Sequence, residues 1–149
     1  QHISGHIMAN AGIDRSNVRG DEDTVLLLPL DPDGWCASAW QLLSNRLGVQ
    51  LGVVMADSFG RPWRIGTAGV AIGAAGMVAR KDVRGMPDRF GRVLESTEIG
   101  VADEVAAAAS LVMGQTNEGV PVVVISGLDC AGEGRAADLL RSSERDLFR

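Results

Sequence analysis

Runs of aliphatic residues separated by polar clusters set the first map of this chain. Leu51-Gly52-Val53-Val54-Met55-Ala56, with flanking Gln50, reads as a buried strand that gives way abruptly to Asp57-Ser58-Phe59-Gly60-Arg61-Pro62-Trp63-Arg64. On this reading Asp57 and Ser58 stand where the backbone leaves the sheet. Thr24 to Pro29 and Val120 to Ser126 have the same β-branched, aliphatic character and predict two more strands, and Val93 to Ile99 predicts a fourth. Helical spacing appears at Trp35, Ala39, Leu42, Leu43 and Leu47, ahead of which Asp31-Pro32-Asp33-Gly34 forms a turn and N-cap, with Gly48 as C-cap. Trp35 and Trp40 are read as packing residues of that helix rather than as a stacking platform.

Val101 to Met113 is the clearest helix: alanine dominates it, Asp103 and Glu104 occupy the dipole-favoured first turn, and Gly114 ends it. Between Ile65 and Met77, glycines at 66, 69, 73 and 76 leave mostly small side chains, the pattern of strands packed so closely that another backbone can approach. A phosphate-binding loop is the sharper alternative there, but no Gly-Lys-Ser or Gly-Lys-Thr follows and the spacing is not a dinucleotide fingerprint. Lys81 to Arg92 mixes charges with Gly85, Pro87 and Gly91 and reads as a surface loop. A polar loop spans Gln115 to Gly119, and Ala136 to Arg149 predicts a surface helix. Short mixed strands with three helices, and no regular strand-helix alternation, argue an α+β domain with a mixed sheet or sandwich core and flanking helices.

Composition then narrows the classes. A chain of 149 residues that is 46% hydrophobic can bury the core of one domain. The net charge of −5 comes without any block of like charge, so nucleic acid is not an expected partner. No apolar run reaches the roughly 18 residues that span a bilayer, and no leader pattern opens the chain, so the expectation is a cytoplasmic protein without a membrane partner. Cys36 and Cys130 lack zinc spacing and are read as buried or idle thiols. His2 and His6 are four apart, but Gly5 and the chain-end position argue against a helical metal pair, and neither is assigned a role. The chain opens on Gln1, and apolar patterning is under way by Ile7, which suggests a piece of something longer.

Candidate chemistry centres on the acids. Asp57 and Ser58 offer hard oxygens to a divalent cation, and Arg61 and Arg64 offer forked donors to phosphate or carboxylate. A tight turn at Gly60 and Pro62, with Trp63 plugging the core and the charges solvated, accounts for the same residues. Asp14, Ser16 and Asn17 cap turns and can also ligate a metal or bond a ligand.

Six blocks, in one order across most of the chain, resemble the coenzyme factor-420 (F420) gamma-glutamyl ligase family. They are Asn10-Ala11-Gly12-Ile13-Asp14 with Ser16-Asn17-Val18, Leu28-Pro29 with Asp31-Pro32-Asp33, Asp57 to Arg64, Gly69 to Gly73, Ala102-Asp103-Glu104, and Met113-Gly114-Gln115 with Glu118-Gly119. The resemblance implies a GTP-dependent ligase that attaches L-glutamate to coenzyme F420-0 through an acyl phosphate, with Mg²⁺ or Mn²⁺ required. By position it implies that Asp14 and Asp57 bind one metal and that Ser58 and Gln115 help hold a second. Asn17 would contact GTP, and Met113, Gly114, Gln115, Thr116, Asn117, Glu118, Gly119 and Val120 would lie along the nucleotide. Arg61 and Arg64 stay open between anion contacts and structural pairing. Intertwined homodimers are implied too. The family's own N-terminal nucleotide-contacting part has no counterpart before Gln1, and Ser143 to Arg149 resembles the junction ahead of a nitroreductase-like domain in bifunctional members. Residues 1–149 therefore read as the C-terminal portion of the ligase region. A non-catalytic metal, nucleotide or deazaflavin binder and a metal-dependent phosphohydrolase are the alternatives.

Overall fold

One long antiparallel hairpin dominates the computed structural model, which describes residues 2–8, 12–19, 23–142 and 144. Strand β1 (Val53–Arg61) pairs with β2 (Arg64–Ala75), the register running from Val53↔Ala75 to Arg61↔Arg64. Helix α1 (Pro32–Leu47) precedes the hairpin; a two-rung ribbon of β3 (Lys81–Asp82) and β4 (Glu98–Ile99) and helix α2 (Val101–Met113) follow it. The architecture is α+β with small antiparallel sheets, and a sandwich is not among its described elements.

Both helices lie on β2, and the glycines explain how closely. A Cβ added at Gly69 would stand 2.3 Å from the Ala106 carbonyl oxygen of α2, and one at Gly73 would stand 2.5 Å from the Pro32 carbonyl oxygen of α1. Only a missing side chain lets the helix backbones approach to that distance. The helices present matching small faces: Ala102 and Ala106 on α2, Pro32 and Cys36 on α1, all buried. The core accordingly consists of Ala71, Ala74, Met77, Ala79, Ala102, Ala106 and Ala136.

Each helix is also pinned by a first-turn carboxylate. Asp33 Oδ1 accepts the Ala74 amide at 2.8 Å, and Asp103 Oδ1 accepts the Ala71 amide at 2.9 Å. The register leaves Ile72 without a partner, a bulge between these amides. Asp33 reaches further, taking the Ala136 amide at 2.8 Å and the Ala137 amide at 3.2 Å. A carboxylate near a helix N-terminus is favoured by the dipole and gains again from charge-assisted bonds.

Several sequence-based elements differ. Helix α2 and its Gly114 cap match the reading, and α1 matches with its start extended to Pro32. Yet Trp35, Leu42 and Leu47 are exposed, because α1 docks through Pro32 and Cys36, while the Trp40 indole lies against Gly76. Thr24 to Pro29 is no strand; one bridge joins Leu26 to Asp14. Val120 to Ser126 is also irregular, with Val122 and Val124 exposed. β-branched content makes a strand only where a neighbour supplies the ladder, and among the described residues these runs have no more than that single bridge. From Val93 to Ile99 only the last two residues form a strand, while Val93 makes a single bridge to Pro87. The last predicted helix is a 3₁₀ turn over Ala136–Leu139, after which Leu140 is extended; Ser143 and Arg145–Arg149 lie outside the described residues.

Replacing Asp33 by Ala strips an acceptor from three amides on two segments. Unfolding by denaturant should show a loss of about 3 kcal/mol, since a bond to a charged acceptor contributes roughly 1.5–3 kcal/mol net of water and the Ala137 bond is exposed. A loss below about 1 kcal/mol would contradict the pinning role.

Candidate functional site

Asp57 is not at a strand end. It pairs with Val70 in the middle of β1, whose polar second half continues as strand because Pro62 and Trp63 close a tight hairpin turn beyond it. Trp63 adopts a left-handed φ of 56° there and is 84% exposed, so it plugs no core. Arg61 and Arg64 are exposed at the same tip, away from the cleft described next.

That cleft opens where β1, β2 and the end of α2 meet. It encloses about 140 Å³ and is lined by Asp57 and Ser58 of β1, Gly69 of β2, and Met113, Gly114 and Gln115. Its shape follows from the sequence around it. Gly69 lets α2 lie against the strand, and Gly114 (φ 72°), whose amide bonds Ser110 O at 3.1 Å, turns the chain out of the helix so that Gln115 falls beside Asp57. The Thr67 hydroxyl of β2 donates to Gln115 Oε1 and fixes the amide's orientation.

Asp14 belongs to a second, open depression of about 520 Å³ lined by Ile13, Asp14, Arg15 and Ser16. Its backbone bonds Leu26 in both directions, at 3.0 and 2.8 Å. Its Oδ1 accepts the Ser16 amide at 2.8 Å and the Ser16 hydroxyl at 2.5 Å, and these bonds hold its carboxyl below the usual range. Asp57 is the opposite case. Burial raises its pKa above 3.8, the Ser58 amide at 2.7 Å opposes that rise, and the negative charge of Asp14 adds to it. The charge of Asp14 thus reaches Asp57 across 43 positions of sequence.

Asn17, at φ 54°, donates from Nδ2 to the Thr116 carbonyl at 2.6 Å and so ties the Asp14 turn to the Gln115 loop. Within that loop Glu118 accepts the Thr116 amide at 2.8 Å and its hydroxyl at 3.1 Å, which lowers its pKa. Asn117, Gly119 and Val120 continue past these bonds as exposed chain. The Asn17–Thr116 bond therefore joins the Asp14 turn to the loop whose first residues line the Asp57 cleft. Among the described residues no group of three or more His, Cys, Asp or Glu side chains surrounds a single point. Any cation here would rely on two carboxylates supplemented by the neutral oxygens of Ser58 and Gln115. Thr67, a lone threonine in a glycine-rich strand, gives no signal in the sequence, and His6, to which the sequence assigns no role, takes its environment from Phe59, 53 positions away.

Residues 1–127 match the family described as F420-0:Gamma-glutamyl ligase, and the chain belongs to that family. The Coenzyme F420:L-glutamate ligase of Methanothermobacter thermautotrophicus is 47% identical over 148 residues, covering 97% of this chain and 58% of its own length. The proteins of the same name from Archaeoglobus fulgidus (46% over 145 residues) and Methanocaldococcus jannaschii (41% over 146 residues) are covered by 97% of this chain and 57% of their own lengths. The chain thus spans somewhat under three-fifths of these curated relatives. No helix among the described residues is long and apolar enough to cross a membrane.

The raised Asp57 pKa has a consequence for stability. Its ionisation works against the fold, so the penalty is absent below the ordinary 3.8 and grows as pH rises through the higher folded value. In a chelator, Asp57→Asn should therefore melt above the unsubstituted chain at pH 7 and level with it near pH 3.5. A variant that melts lower at pH 7 would contradict this electrostatic reading.

Proposed function

We propose that this chain is the part of a GTP- and metal-dependent ligase that joins L-glutamate to coenzyme F420-0. The observation that carries the reading is the meeting of Asp57, Ser58 and Gln115 in one cleft, with the Asp14 charge felt at Asp57. The donor set fits Mg²⁺ or Mn²⁺, since both take hard oxygens and two repelling carboxylates leave a negative site that such a cation relieves. Asp14 and Asp57 would hold one ion, and Ser58 and Gln115 would help hold a second; bound there, cations neutralise phosphate charge during transfer. Ligand names carried by the relatives supply the substrates, and membership of the family supports the reaction class.

The chemistry proceeds in two displacements. A carboxylate oxygen of the F420-0 tail attacks the γ-phosphorus of GTP, the bond to the bridging oxygen breaks, and GDP leaves. The amine of glutamate then attacks the acyl carbon, phosphate departs with the bonding pair, and the nitrogen loses its proton to give the amide. This chain's part is to orient. Asn17 and Glu118 fix the loop from Met113 to Val120 along the nucleotide, and the Thr67 bond keeps the Gln115 carbonyl directed at the cleft. The end of α2 is the negative end of its dipole, which disfavours bare phosphate and suits a cation. Association of two copies has support in the exposed Leu111, Val112, Val122 and Val124.

Calorimetry of Mn²⁺ binding tests the ligand assignment: Asp14→Asn and Asp57→Asn should each weaken affinity by about 10-fold to 100-fold, and unchanged affinity in both would refute it. In a protein of the relatives' full length, GDP release should rise when glutamate and F420-0 are supplied together. GTP hydrolysis indifferent to glutamate would point to a phosphohydrolase instead, and saturable binding without turnover to a non-catalytic binder.

A further inference from the structure

His6 is the one buried polar side chain among the described residues, 7% exposed, and the chemistry above does not use it. Its surroundings are specific. The Ser4 hydroxyl lies 2.8 Å from His6 Nδ1 and 2.7 Å from His2 Nδ1, while the Ser4 amide donates to His2 Nδ1 at 3.2 Å. That amide bond makes His2 Nδ1 an acceptor, so the single hydroxyl proton goes to His2 and the Ser4 oxygen is left to accept N–H from His6. The tautomer of His6 is assigned from this donor count.

The ring meets Phe59 edge to face, with centroids 5.7 Å apart and planes at 87°. Phe59 and Asp57 are two apart on a stretch of β1 without a register shift, so their side chains share a face. Charged groups that act on His6 are His2, Asp33 of α1, Asp57 of β1 and Asp103 of α2. Burial, the largest influence, lowers its pKa, so the imidazole adds no positive charge beside the acids at neutral pH.

We propose that His6 is a positioning residue of the acidic site: set edge-on against Phe59 and oriented by Ser4, it holds the face of β1 that Phe59 shares with Asp57, so that the Asp57 carboxylate addresses a divalent cation. The inference rests on the cation reading above. A leucine would fill much of the same space but make none of the hydrogen bonds, whereas glutamine keeps a donor and an acceptor.

The test is Mn²⁺ affinity by calorimetry on this chain, with thermal melts in chelator as the measure of folding. His6→Leu should bind Mn²⁺ about 10-fold more weakly, as loss of a ligand-orienting partner does, and His6→Gln should recover most of that loss. Ser4→Ala leaves the ring and its packing in place and covers the case in which the leucine variant does not fold; it should weaken binding in the same direction by less. Mn²⁺ binding by the unsubstituted chain with unchanged affinity in Ser4→Ala and in every folded His6 variant overturns the inference alone. Absence of Mn²⁺ binding by the unsubstituted chain overturns the cation reading, and the inference with it.

Discussion

Backbone contact between β2 and the two helices is the constraint on which the rest depends. At Gly69 and Gly73 the strand has no side chain to separate it from α2 and α1. The first-turn aspartates Asp103 and Asp33 turn that proximity into fixed registration by taking the β2 amides on either side of the Ile72 bulge. If either helix moved outward by the width of a methyl group, the carboxylate bonds and the small-residue core of Ala71, Ala74, Ala102 and Ala106 would be lost together. Such packing tolerates little, and the same rigidity holds the cleft open at one end.

The cleft inherits its geometry from that docking. Helix α2 runs along Gly69, so its last turn and Gly114 deliver Gln115 to Asp57 and Ser58. Asn17 then links the Asp14 turn to the far side of the same loop. What results is a mouth with two mutually repelling carboxylates, one of which burial and its neighbour keep reluctant to ionise.

Much of this was legible in the chain. The glycine pattern from Gly66 to Gly76 announced close backbone approach, α2 and its cap were readable from alanine content and Gly114, and the motif blocks singled out Asp14, Asp57 and Gln115 before any geometry was available. The misreadings share one cause. Thr24 to Pro29 and Val120 to Ser126 look like strands because β propensity is a property of side chains, but pairing is a property of neighbours, and among the described residues these segments find only the Asp14–Leu26 bridge. Asp57 was read at a strand end because polarity rose there, while the two-residue turn at Pro62 and Trp63 lets the ladder run on to Arg61. Partners far apart in sequence, such as His6 with Phe59 and Thr67 with Gln115, carry no local pattern at all.

The central claim is that Asp14 and Asp57 together form a cation site on this frame. Crystals grown with Mn²⁺ and measured near the manganese edge test it most directly. The account predicts an anomalous peak within about 2.5 Å of a carboxylate oxygen of both residues. A peak bound to neither, or to one with the other carboxylate turned away, would contradict it.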